Sequence, residues 1–168
     1  MCQPLAAEGE FALVRQHLEE ALTQLDISPT YVTPAVDNDL YAMLADVAGQ
    51  QRDLAALRQY APLAEETAAH CGHVLYQAIA HRAWGVAHRL AGEYDEAKVR
   101  LHQALELFQD LDTRWQIGRT LSELGELAVA HAEAAAARDY FSRALAAFEA
   151  MKAAPDAARV RAALKALG

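Results

Sequence analysis

GVAHRLAGEYDEAKVRLHQALELF at Gly85–Phe108 and GELAVAHAEAAAARDYFSRALAAF at Gly125–Phe148 are two copies of one pattern, at an offset of 40. Gly85 falls on Gly125, Glu93 on Glu133, Ala97 on Ala137 and Leu101 on Phe141. Ala104-Leu105 falls on Ala144-Leu145, and Phe108 on Phe148. The same spacing reaches back, more weakly, to Ala45, Leu54, Leu57, Ala61 and Ala64. A partial copy opens the chain: Gly9-Glu10-Phe11, Val14, Leu18 and Ala21-Leu22 repeat Gly92-Glu93-Tyr94, Ala97, Leu101 and Ala104-Leu105 at an offset of 83. The longer offset implies a connection. Ser28–Pro34 supplies it, because prolines and the residues before them do not continue a helix.

Each unit reads as two helices, since small and large apolar residues recur at helical spacing, as in Ala97, Leu101, Ala104, Leu105 and Phe108. Gly92 is placed to supply a left-handed turn in mid-unit. The predicted helices cover 10–26, 38–50, 52–70, 73–91, 94–110, 113–130, 133–151 and 156–167, with no strands. Gly85 and Gly125 on first helices, facing Ala97, Ala104, Ala137 and Ala144 on second helices, let two helices cross closely while Leu101 or Phe141 fills the gap. One such pair cannot cover its own apolar face, so neighbours must stack. The expected fold is therefore all-α, an α-solenoid of about eight helices forming a single domain over 1–168. It divides into a leading half repeat at 1–27, a linker at 28–37, repeats at 38–72, 73–112 and 113–152, and a capping helix at 153–168. Pro62 falls inside a predicted helix and should kink it near Arg58.

Composition narrows the function classes. The chain has 168 residues, 54% hydrophobic and 23% charged, with a net charge of −8. That is globular composition, and the acidic balance argues against nucleic acid as a partner. No apolar run approaches the roughly 20 residues of a membrane span, and Met1–Ala7 has no signal-peptide character. Two cysteines make no disulfide framework, which points to the cytoplasm. Twelve arginines against three lysines, with abundant alanine, hint at a GC-rich bacterial genome.

The repeated residues resemble the tetratricopeptide repeat (TPR) family. Its unit places a small residue at position eight, Gly-x-Tyr at fifteen to seventeen, and apolar residues at twenty, twenty-four and twenty-seven. Gly85, Gly92, Tyr94, Ala97, Leu101 and Ala104 match all six, and Gly125, Ala137, Phe141 and Ala144 match four. Ala132 and Ala134 replace the second unit's Gly and aromatic. The family period is 34 rather than 40. The longer unit and Asp112–Gly118 followed by Leu124–Ala128 are similar to the long-repeat, MalT-like subclass of bacterial regulators. HEAT and armadillo repeats share the longer period but lack the Gly-x-Tyr turn. The resemblance implies a right-handed superhelix.

Little points to catalysis. His70-Cys71-Gly72-His73 could hold zinc with a further ligand, yet Gly72 and His70 also read as an ordinary helix end. His81 and His88 share a helical face but occupy packing positions of the family unit, as do Tyr94, Phe108, Phe141 and Phe148. Glu19-Glu20 and Glu65-Glu66 fall on outer faces. No nucleophile elbow, phosphate loop or His-Glu-x-x-His appears. The expectation is no enzyme, no cofactor and no metal.

The resemblance places a concave groove on the first helices of each unit. It carries Asp39, Ala42, Met43, Asp46 and Gly49, then Ile79, Arg82, Ala83, Val86 and Arg89, then Arg119, Ser122, Glu123, Glu126 and Val129. The candidate partner-binding residues are Asp39, Met43, Asp46, Arg82, Arg89, Arg119, Ser122, Glu123 and Glu126. Arg82, Arg89 and Arg119 could grip carboxylates of a partner. Equally, Asp46 or Glu123 could satisfy Arg82 or Arg119 within the chain. The family's chaperone-tail carboxylate clamp is absent, because its positions carry Ala42, Asp46, Ala83 and Glu123, with only Arg119 basic. Asn38 is the only asparagine, which weakens a peptide-pheromone receptor. The expected role is a non-catalytic protein- or peptide-binding module of a larger bacterial regulator or scaffold, with a ligand- or peptide-sensing receptor domain as the alternative. Almost no first helix precedes Gly9, so the chain reads as cut from a longer protein, or else Met1–Glu8 forms a stub. A homodimer that covers Phe11, Val14, Leu18 and Leu22 is a further expectation.

Overall fold

The structure, a computed structural model, describes residues 3–27 and 34–168, with side chains described for 10–24 and 39–168. Eight helices and no strands occur among the described residues. They are α1 (Gln3–Ile27), α2 (Pro34–Gln51), α3 (Leu54–Cys71), α4 (Val74–Ala91), α5 (Tyr94–Asp110), α6 (Arg114–Ala130), α7 (Ala134–Ala150) and α8 (Ala154–Ala166). Helix α1 continues upstream of Gly9 to Gln3, where the sequence suggested a stub. Helix α2 starts at Pro34, ahead of the expected position 38, since proline suits a helix's first turn. Residues 28–33 of the expected linker lie outside the described residues.

From α2 onward one turn geometry recurs at a constant interval, half the sequence repeat. Arg52, Gly72, Gly92, Asp112, Ala132 and Lys152 all have positive φ, between 49° and 81°. At each, the N–H bonds back three residues and the following N–H bonds back five, as in Arg52 to the Gly49 carbonyl and Asp53 to the Ala48 carbonyl. This is the Schellman arrangement, which satisfies the last carbonyls of one helix while the next begins at once. Only Gly72 and Gly92 adopt it without a Cβ cost. Asp53 also caps α3, accepting from the Ala56 N–H at 3.0 Å. Helix α3 runs through Pro62 to Cys71 without interruption, with the proline exposed.

Consecutive helices pack as antiparallel hairpins, and α2, α4 and α6 lie side by side along one layer. The close crossings fall at glycines. A Cβ on Gly85 would meet Leu101 at 2.5 Å, one on Gly125 would meet Phe141 at 2.6 Å, and one on Gly118 would meet Phe148 at 2.9 Å. The core falls into clusters: one holds Ala45, Leu57, Ala61 and Ala83, another Leu101, Leu124, Phe141 and Phe148, and a smaller third holds Ala78 and Phe108. Leu18 and Leu22 of α1 rest against the first of these clusters, so the leading helix is partly covered. Leu13 and Val14 stay exposed on it.

Candidate functional site

The layer made by α2, α4 and α6 carries a belt of ion pairs. Asp46 of α2 accepts from Arg82 Nη2 of α4 at 2.8 Å and from Arg119 Nη1 of α6 at 2.9 Å. Burial opposes ionisation of Asp46, but the two guanidiniums outweigh it and hold the carboxyl below the ordinary aspartate range. Arg82 is only 3% exposed and lies 5.0 Å from the centre of the Phe108 ring. Burial, and then the neighbouring Arg119, lower its pKa to about 10.

A second node gathers on Glu123 of α6. Both of its oxygens lie 2.7 Å from Arg52 Nη1, and Oε2 lies 3.2 Å from Arg89 Nη2. Glu126 stands 3.5 Å from each of the same two arginines. Burial opposes the charge on Glu123 too, and Arg52 and Arg89 overcome it, lowering its pKa. Arg52 belongs to the α2–α3 turn, 71 residues before Glu123, and Asp46 lies 73 residues before Arg119. These contacts pass over α4 and join α2 directly to α6. The layer must therefore curl inward, which makes this the concave face.

The arginines thus pair within the chain: Arg82 and Arg119 with Asp46, Arg89 with Glu123 and Glu126. The balance is uneven, because four guanidiniums, counting Arg52, face three carboxylates. Arg89 Nε is buried without an acceptor. Of the remaining candidates, Met43 is 50% exposed, and Ser122 donates to the Gly118 carbonyl at 3.0 Å. Exposed Asp39 accepts from the Tyr76 hydroxyl, which, with burial, pushes Tyr76 up to about 12.

Sequence reasoning missed Arg52, because it sits in a turn rather than on a groove helix. Its place, half a repeat ahead of Gly72, was the available signal. Trp115 was also passed over: its ring lies 4.7 Å from the Arg119 guanidinium and stays 42% exposed.

The candidate catalytic groups are dispersed. His81 accepts from Arg100 Nη1 at 2.8 Å, beside Glu65, and burial followed by Arg100 lowers its pKa. His88 contacts Glu93 and stacks on Trp84. Both histidines are half-buried rather than core. Gly72 ends α3 in the left-handed region, and Cys71 is exposed there. No group of three or more His, Cys, Asp or Glu could hold a metal among the described residues. Among the described residues, too, no helix is long and apolar enough to cross a membrane.

Comparison with known proteins follows the fold. Residues 76–150 match the tetratricopeptide repeat family. The matched tetratricopeptide stretch runs from α4 to the end of α7 and so holds Arg82, Arg89, Arg119, Glu123 and Glu126, but not Asp46 or Arg52. Among solved structures, the chain is similar to BtubC (BKLC) from P. vanneervenii, with a TM-score of 0.71 at 20% identity. That alignment covers 96% of this chain and 66% of the other, and it shows the fold. The chain thus spans just under two thirds of that relative's length. No curated protein matches.

Proposed function

We propose that this chain is a non-catalytic protein–protein interaction module that receives a partner segment on its concave face, within a larger bacterial regulator or scaffold. Tetratricopeptide repeats generally mediate protein–protein interaction, and stacked helix pairs offer a preformed surface for it. The observation that carries the reading is the concave layer itself. It combines exposed apolar side chains, Met43 and Val129, with a charged belt that is paired within the chain and neutralised to within one charge. The belt orients; the apolar residues give area.

The test is selection of binders from a displayed random-peptide library. Arg82 is unsuitable for the control, because reversing its charge would set two carboxylates together in the interior. Met43→Glu and Val129→Glu change exposed residues instead. Selected peptides are expected to lose about tenfold or more in affinity for these variants, since a carboxylate placed in the contact must lose its water without a partner. Undiminished binding would move the site off the concave face. For homodimerisation through α1, Leu13 and Val14 are the exposed large apolar residues there.

A further inference from the structure

The surplus of positive charge has a location. At the end of the concave face, a cavity of about 70 Å³ opens between α6 and α8. Arg52, Arg119 and Arg159 line it with Glu123 and Glu126, together with the apolar Phe148 and Val160. Arg159 is joined to Asp156, which also accepts from Trp115 Nε1 at 3.2 Å. Trp115, one turn before Arg119 on α6, lies outside the lining itself but touches Arg119 of the wall and Asp156, the partner of Arg159.

The donors are not used up. Arg119 spends Nη1 on Asp46 and its face on Trp115, leaving Nε and Nη2 for another acceptor. Arg159 spends Nη2 on Asp156 and keeps its other N–H groups. Ser122 cannot supply a donor, because its hydroxyl already serves the Gly118 carbonyl. Five arginines in the belt and cavity, at positions 52, 82, 89, 119 and 159, meet four carboxylates, at 46, 123, 126 and 156. In a chain of net charge −8, this is a local excess of one positive charge.

We propose that this cavity receives one aspartate or glutamate side chain from an extended segment of a protein partner, with the adjoining apolar residue resting on the exposed ring of Trp115. The inference rests on the interaction-module reading and gives that partner a chemistry. A carboxylate is a monoanion, matching the single excess guanidinium. A phosphate dianion would overshoot it and face Glu123 and Glu126 on the same walls. The volume suits one side chain rather than a helix, and Trp and Arg are among the residue types enriched where binding energy concentrates at protein interfaces.

The experiment titrates the 15N-labelled chain with acetyl-SLELS-amide, with its SLQLS counterpart and with inorganic phosphate, following amide and indole resonances. The glutamate peptide is expected to shift the Trp115 indole and the amides of Arg159 and Ala163 saturably in the millimolar range. The glutamine peptide should bind at least about fivefold more weakly, having no charge-assisted bonds to the guanidiniums. Arg159→Glu, at a solvent-exposed position, should abolish the difference between the two peptides while leaving the thermal midpoint in place. Equal binding of both peptides, preference for phosphate, insensitivity to Arg159→Glu, or no shifts up to about 10 mM peptide would each overturn the proposal. If the cavity stays silent while library-selected peptides shift Met43 and Val129, the cavity assignment fails and the module reading stands. A library that yields no binder at all removes the module reading itself.

Discussion

At the scale of single residues, the glycines of this chain do two different jobs. Gly85, Gly118 and Gly125 lie where a second helix passes so near that a Cβ would sit inside Leu101, Phe148 or Phe141. Gly49 is helical and buried too, but a Cβ there would meet only Leu57, at 3.9 Å. Gly125→Ala is therefore expected to lower stability by about 1–3 kcal/mol through overpacking. Gly49→Ala should raise it by about 0.5–1 kcal/mol, because alanine loses less backbone entropy in a helix. Thermal midpoints moving in opposite directions would confirm the distinction; a loss at both would mean that α2 packs more tightly than these distances show. The role of Gly85 and Gly125 was legible in the sequence, since the two copies of the repeat set each at the same interval from the large residue that fills its gap. Gly118 was not, because its counterpart one repeat earlier is Ala78, packed with Phe108, so no second glycine marks the crossing.

At the scale of helices, the sequence showed the elements but only part of their punctuation. Gly72 and Gly92 mark two of the six left-handed turns; Arg52, Asp112, Ala132 and Lys152 fill the same conformation without any residue-type signal. The packed helices on either side over-determine the backbone there, so local preference is overridden. That strain is measurable. Ala132→Gly should release about 1 kcal/mol of left-handed strain and lose part of it to unfolded-chain entropy, a net gain of about 0.5 kcal/mol. Gly92→Ala should lose about 1 kcal/mol for the same reason. Urea unfolding curves of the two variants would decide; an Ala132→Gly variant less stable than the parent would contradict the shared turn geometry. The concave positions were legible by helical register, whereas their pairing was not. Register places Asp46, Arg82 and Arg119 on one face, but only curvature brings α2 within reach of α6, and curvature is a property of the stack.

At the scale of the whole molecule, the ion-paired belt links stability to pH. Asp46 and Glu123 have folded pKa values below their ordinary ones, so the stability they contribute is complete above the unfolded values, near pH 4, and is lost as pH falls through the lower folded values. His81, lowered in the folded chain, adds a separate loss of stability below about pH 6.5. The belt's contribution is expected to be steady between about pH 7 and 5 and to fall steeply below about pH 4, and Asp46→Asn should flatten that fall. An equally steep fall in the variant would place the acid sensitivity elsewhere. The uniform spacing of the turns has a consequence for how such a chain can lengthen. A whole repeat duplicated between equivalent turns would enter with its helices already in phase, so tandem growth needs no redesign of the packing. Growth is nonetheless restricted. A unit added between Gly72 and Asp112 would carry Arg52 away from Glu123 and strand both charges, whereas one added beyond Ala132 would leave the belt whole. The array can therefore gain a unit outside the segment that the belt spans, but not within it.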